Sequence, residues 1–476
     1  MESDVTGLLT QPALVVAERI RSGEVQAREV VEAALVQAES RKDLNAFTFV
    51  DGERALAAAT AIQPGDPRPF AGVPMAIKEL TAVEGQPFTM GSEIFGPFQA
   101  QRDAYTVRRL RDAGFVLIGR TSSPEFGITP TTEPRRFGPT RNPWDRARSS
   151  GGSSGGAAAA VAGGVLPAAQ GSDGGGSLRI PAACCGLIGL KASRGRISSG
   201  PEFGDNMLST NGAVTRTVAD AAALLDIMAG YEVGDATWAP PPPEPFSNAL
   251  KQPPAALRIA YTTVSPLGTV VDPMAIKATQ DAARLLESLG HQVVEMTPPV
   301  WQTAELEPAF NAIYGASIAS GVRAGASVTR RAPTPELVEP LTWWFYEQAM
   351  RASGAELLEA VTLLQQYSRQ LIAFFTQFDI LLTPTLGQRP LPIGYLNPQG
   401  ADPVAEWRKA AEYTPFTPIF NVTGQPAISL PLYHGEDDLP LAVQFVAPPL
   451  GEALLLTLAA QLEAALPWSG RRPADA

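Results

Sequence analysis

GGSSGGAAAAVAGGVLPAAQGSDGGGSLRIPAACCGLIGLK occupies residues 151–191 and overlaps the compositional anomaly of the chain, residues 149–176. Two glycine–serine turns bracket a run of small residues, GGAAAAVAGG at 155–164, which reads as a tightly packed helix. Glycines around a serine let consecutive backbone N–H groups point into one small space. Gly174, Gly175, Gly176 and Ser177 supply four such N–H groups with a hydroxyl at the end. Negative charge developing on a carbonyl oxygen needs donors placed in that way. Taken singly, Ser153 also fits a helix N-cap and Ser177 a turn serine.

Outward from this stretch the chain alternates helix and strand, the rhythm of an α/β sheet. QAREVVEAALVQAES at 26–40 carries apolar residues at helical spacing. FAGVPMAIKEL at 70–80 reads as a short strand ending in a lone lysine, Lys78. Residues 103–114 read as a helix opened by Asp103 and closed by Gly114, and 115–120 as the strand that follows. TRTVADAAALLDIMAG at 215–230 reads as a helix, and the proline-rich 236–256 as a linker or surface excursion. Strand, helix and strand then run from 258 to 296. Residues 303–376 are mostly helical, with Ser353 and Glu356 in capping-box spacing. DILLTPT at 379–385, AISLPL at 427–432 and LAVQFVA at 441–447 read as buried strands, before a last helix. Because the sheet rhythm flanks the proline-rich stretch on both sides, 1–476 is expected to form one large α/β domain. Its expected architecture is a mixed central β-sheet covered by helices on both faces, with a helical excursion at about 300–375.

Composition removes several classes of function. With 45% hydrophobic residues the chain can bury a large core, although 476 residues alone would suggest about three domains of ~150 residues. A net charge of −11 lacks the footprint of a phosphate binder, so no nucleic acid and no anionic membrane surface is expected as partner. The only cysteines, Cys184 and Cys185, are adjacent; they give neither a disulfide framework nor metal spacing, and read as small core residues. With two histidines, His291 and His434, a closed zinc site is not expected. No G-x-x-x-x-G-K-[ST] loop occurs. The apolar run 155–169 is broken by Gly163, Gly164 and Pro167, which argues against a membrane span, and the first residues do not read as a signal peptide. A cytoplasmic protein without metal or organic cofactor is the expectation.

A serine hydroxyl is a poor nucleophile until a base takes its proton. With histidine scarce, lysine is the next candidate. A lone lysine is ordinarily a solvated surface charge, but Lys78 follows Val73, Met75, Ala76 and Ile77. Buried at a strand end, its amine loses hydration and its pKa falls, leaving a neutral base. Ser153 is placed to bridge Lys78 and Ser177.

GGSSGG at 151–156 and GSDGGGSLRIPAACCGLIGLKASRGRIS at 171–198 resemble the glycine/serine-rich signature of the amidase signature family, a long and specific motif. GVPMAIKE, the helix at 215–230 and NVTGQPAISLPL at 421–432 resemble it too, and the likeness is densest from about 65 to 230. The resemblance implies the amidase signature fold and a catalytic triad of Lys78, Ser153 (in a cis-peptide setting) and Ser177. It implies an oxyanion hole from the N–H groups of Gly174, Gly175, Gly176 and Ser177, with Asp173 and Arg179 bracing the loop as a structural ion pair. Phe126 and Gly127, by family position, and Phe203 and Met207, in a mobile loop expected at 201–210, are substrate-binding candidates. Many members read GTDTGGS; here Ser172 and Gly174 replace the threonines and leave the site less crowded. Members that amidate tRNA-bound substrates usually carry glutamine after the arginine, where this chain has Ile180. The resemblance is therefore nearer to members that hydrolyse nylon-type cyclic amides, aryl amides and urethanes. The implied partner is a small, largely apolar amide, anilide, cyclic amide or carbamate, handled by a monomer or homodimer.

Two other readings compete. GGSSG at 151–155 also fits the G-x-S-x-G elbow of α/β-hydrolase esterases, with Asp379 and His434 in the right chain order to complete a triad on Ser153. That elbow needs an apolar strand before its serine, and RNPWDRARSS is polar. The second is a non-catalytic, amidotransferase-like subunit; all three triad positions are intact, which argues against it. The aromatic run Trp343–Tyr346 fits either a pocket wall or a split between core and surface.

Overall fold

The computed structural model describes residues 5–204 and 207–474. Asp205 and Asn206, central to the loop expected at 201–210, lie outside the described residues.

Eleven strands form two sheets among the described residues. β1 (Phe47–Val50), β2 (Pro74–Lys78) and β3 (Val116–Thr121) make a small sheet in the order β1-β3-β2. β3 is antiparallel to β1 and parallel to β2. The large sheet contains β4 (Ala169–Asp173), β5 (Ile188–Lys191), β6 (Thr210–Thr215), β7 (Arg258–Tyr261), β8 (Gln292–Glu295), β9 (Ile380–Pro384), β10 (Ala427–His434) and β11 (Pro440–Val446). Its order is β4-β6-β5-β10-β11-β9-β7-β8. The pairs are antiparallel up to β9, then parallel through β7 and β8, so the sheet is mixed. Helices flank it.

The strand bearing Lys78 thus belongs to the small sheet. The two sheets are joined near the site, where the Gln170 side chain on β4 accepts from the Lys78 backbone N–H at 3.0 Å. The helix Gly155–Ala162 lies buried along its whole length, as its composition predicts. A Cβ on Gly156 would collide with Ser122 N and Ala46 O, so this approach admits only glycine.

The proline-rich 236–256 lies between strands of one sheet and is not a linker between separate sheets. Its short helical turn, Phe246–Lys251, is pinned by buried Phe246 and by Asp226, which accepts from the N–H groups of Phe246 and Ser247. The excursion consists of the helices Leu306–Thr329, Pro340–Arg351 and Gly354–Ala373. The third opens with the capping box that the sequence predicts, Glu356 N donating to Ser353 Oγ and Ser353 N to Glu356 Oε2. Two smaller apolar clusters, around Phe310 and Phe420 and around Phe95 and Phe345, tie these helices to the rest. One expectation fails in detail: Asp103 does not cap its helix. That helix is Tyr105–Asp112, and the Asp103 carboxylate instead accepts from Glu84 N and pairs with Arg111. No helix among the described residues is long and apolar enough to cross a membrane.

Candidate active site

Lys78 ends β2 fully buried. Its Nζ lies 2.8 Å from Ser153 Oγ and 3.1 Å from Ser172 Oγ. Burial pulls the amine down from its ordinary value to about 7, with the charge of Asp173 opposing the shift. Ser172, one of the two departures from the commoner family pattern, therefore takes part in the cluster. The Gly152–Ser153 peptide is cis. A Cβ on Gly152 would lie 2.6 Å from the carbonyl oxygens of Thr129 and Thr131, so the turn carrying Ser153 has no room for a larger residue.

Ser177 follows β4 and is 8% exposed. Ser154 N donates to Ser177 O at 3.2 Å, which sets the two serine turns side by side. Among the described residues no hydrogen bond joins Ser153 Oγ to Ser177 Oγ. Lys78 and Ser153 are in contact, and Ser177 stands beside them through its backbone.

The glycine turn owes its shape to Asp173. This carboxylate accepts from Gly176 N, Leu178 N, Asn421 Nδ2 and two Arg179 nitrogens. Burial alone would raise its pKa, but the Arg179 charge and hydrogen bonds, helped by Lys191 and Asn421, hold it well below the carboxylate range. Arg179 continues to Thr417 O, Gln444 Oε1 and Asn421 Oδ1. Both side chains of the pair are fully buried, the structural ion pair that the sequence predicts. The network occupies one N–H of the expected cradle, that of Gly176, which is committed to Asp173. Gly176 sits at φ +127°, and a Cβ there would strike Thr417 Oγ1.

A cleft opens beside Ser177 and Gly175, walled largely by apolar groups including Ile128, Phe310 and Trp407. None of Phe126, Gly127, Phe203 and Met207 is on that wall. Phe126 has φ +51°, and its ring lies 6.2 Å from that of Phe95, in an apolar cluster. Phe203 is 44% exposed, and Met207 packs against the cluster around Phe310. Gly127 lies next to Ser153: a Cβ on it would be 3.1 Å from Ser153 Oγ. Much of the cleft wall comes from the excursion and from 407–422, joined by Ile128, Thr129, Pro130, Ile180, Pro266 and Leu267. From the first excursion helix, Glu307, Phe310 and Asn311 reach the cleft at one-face spacing.

The esterase reading fails on geometry. Ser153 is with Lys78, Asp379 is paired with Arg258, and the His434 ring lies edge-on to Trp144 at 4.8 Å. No contact unites the three. Cys184 and Cys185 are buried, and burial pushes the Cys184 thiol up to about 12. Of the aromatic run, Phe345 is buried while Trp343, Trp344 and Tyr346 are half-buried. Among the described residues no group of three or more His, Cys, Asp or Glu is placed to hold a metal ion.

The sequence profile of the family described as Amidase matches residues 29–456. The chain is 38% identical to the 6-aminohexanoate-cyclic-dimer hydrolase of Paenarthrobacter ureafaciens, over 98% of this chain and 97% of that one. The chain belongs to the amidase signature family. A solved structure of 6-aminohexanoate cyclic dimer hydrolase superposes with a TM-score of 0.93 at 37% identity, covering 98% of this chain and 99% of that one. A bacterial aryl acylamidase of the amidase signature family gives 0.86 at 26%, covering 98% and 99%. A solved chain of the glutamyl-tRNA(Gln) amidotransferase of Thermotoga maritima lies further off, 0.78 at 28%, covering 98% and 96%. The present chain is an amidase, a hydrolase of carbon–nitrogen amide bonds, and the non-catalytic reading is set aside.

Proposed function

We propose that this amidase works through an acyl-enzyme on Ser177, with Ser153 and Lys78 as its proton relay. The observation that carries the reading is the 2.8 Å contact between a fully buried amine, drawn down to about 7, and Ser153 Oγ. Ser177 Oγ attacks the carbonyl carbon and passes its proton to Ser153, whose own proton moves to neutral Lys78. Rotation of the Ser177 hydroxyl toward Ser153 completes the chain when substrate binds; catalytic hydrogen bonds often tighten only then. The N–H groups of Gly174, Gly175 and Ser177 hold the oxyanion. The C–N bond breaks as Ser153 returns a proton to the leaving nitrogen and regains one from Lys78. Water, deprotonated by the same relay, then releases the acid.

The substrate class follows from the cleft. Its wall is mainly hydrocarbon, which suits a small, largely apolar amide, anilide or cyclic amide. A cyclic amide is what the name of the Paenarthrobacter ureafaciens enzyme specifies. A carbamate fits the same chemistry: C–N cleavage leaves a carbonate ester on Ser177, and hydrolysis yields alcohol and CO₂.

A fluorophosphonate tests the nucleophile. Intact-mass spectrometry is expected to find one adduct on Ser177, accompanied by loss of anilide hydrolysis, and none on Ser177→Ala. Labelling elsewhere, or hydrolysis that survives in Ser177→Ala, would overturn the assignment.

A further inference from the structure

Within the apolar wall of the cleft sits one carboxamide, Asn311. Its Oδ1 accepts from Trp407 Nε1 at 3.0 Å. An indole N–H can only donate, so this bond decides which end of the carboxamide faces Trp407. The other end, Nδ2 with two N–H groups, has no partner among the described residues. Trp407 is itself held in place, stacked on Tyr314 with centroids 5.6 Å apart and edge-on to Phe345 at 5.0 Å. The Tyr314 hydroxyl is in turn anchored on Gly127 O and Ile128 O at 3.1 and 3.0 Å. A rigid aromatic stack thus fixes a pair of unmet donors in a largely apolar cleft, where a matching acceptor gains most. One helical turn earlier Glu307 also lines the cleft, with no ion pair among the described residues.

We propose that Asn311 is a specificity-determining residue, donating to a second, uncharged acceptor oxygen on the substrate, remote from the scissile carbonyl. The preferred substrates are neutral bifunctional molecules: diamides, amide esters and biscarbamates. Glu307 disfavours those ending in a carboxylate. The inference rests on the reading that this cleft serves the Ser177 relay.

The experiment uses anilides whose acyl chain of three to six methylenes ends in a methyl ester, a primary amide, a methyl group or a carboxylate. They are assayed on the parent, Asn311→Leu, Asn311→Asp and Ser177→Ala. In the parent, kcat/KM for ester and amide ends should exceed the methyl end by roughly 10-fold at the best spacer, and the carboxylate end should be poorest. Asn311→Leu should bring the ester-to-methyl ratio to about one. Asn311→Asp keeps an acceptor for Trp407 but no donor, so it should also lose the ratio even if the leucine variant fails to fold. A parent without preference at any spacer, or variants that keep it, would overturn the inference. Should Ser177→Ala retain hydrolysis, the relay reading fails; should it be inactive while the ratio does not move, only the role of Asn311 fails.

Discussion

Two lysines end two short strands of this protein in nearly the same way. Lys78 closes PMAIK in β2, and Lys191 closes IGLK in β5. Both are buried, with 0% and 2% exposure, and burial pulls both amines down to about 7. Their neighbours differ. Lys78 Nζ faces the hydroxyls of Ser153 and Ser172, whereas the hydrogen bond of Lys191 Nζ goes to the carbonyl oxygen of Ala192. A carbonyl has no proton to give. Desolvation favours the neutral form of either amine, and only Lys78 has hydroxyls within reach for the proposed relay. A shifted pKa therefore marks a candidate, and geometry chooses between candidates.

The contrast between the two lysines is tested hardest by Lys78→Met. The relay loses its terminal acceptor, and kcat should fall by roughly 10²–10⁴-fold, the usual contribution of general-base catalysis. The variant should stay folded, since methionine fills a similar volume without a charge to desolvate. Steady-state kinetics with parallel thermal melts checks both. A variant retaining a tenth of the parent rate would move the base elsewhere.

A smaller effect bears on the same point through pH. Lys78 must be neutral to accept a proton, and its amine titrates at about 7. Below that value kcat/KM should fall about tenfold per pH unit, and above it the rate should level off. An activity maximum on the acid side would contradict a lysine base.

The signature turn was legible because its chemistry constrains residue type. Gly152 and Gly176 occupy places where a Cβ would strike neighbouring oxygens, so the site writes glycines into the sequence beside its serines. Asp173 and Arg179 were legible as a pair, but not the third member of their network, Asn421, which arrives from 242 positions beyond Arg179. Strand existence could be read from apolar runs, whereas sheet order could not. Nothing local announces that β10 and β11 slot between β5 and β9. The cleft wall was least legible. Phe310, Asn311 and Trp407 belong to helices whose apolar stripes look like any packed face, and only their meeting in space makes a pocket. Phe126 sits at positive φ with its ring near that of Phe95, in a cluster that also holds Trp407.

The gentlest test is Lys191→Met, the counterpart that should leave catalysis alone. Lys191 touches none of the three relay side chains, so kcat/KM is expected within about threefold of the parent. Stability should respond more. Between about 7 and the ordinary lysine value of ~10.4, the unfolded chain carries a proton on this amine that the folded chain does not. The unfolded state binds more protons there, so this group's contribution to stability rises with pH across that window and is least favourable below it. Replacing it with methionine removes that penalty. The melting temperature should rise by about 1–3 °C at pH 7, and the gain should shrink as the pH approaches 10. Melts of parent and variant from pH 6 to 10 would read this directly. A variant that loses activity along with the Lys78 variant would show that Lys191, through Asp173, shapes the glycine turn, and the two lysines would no longer be a matched pair with one active member.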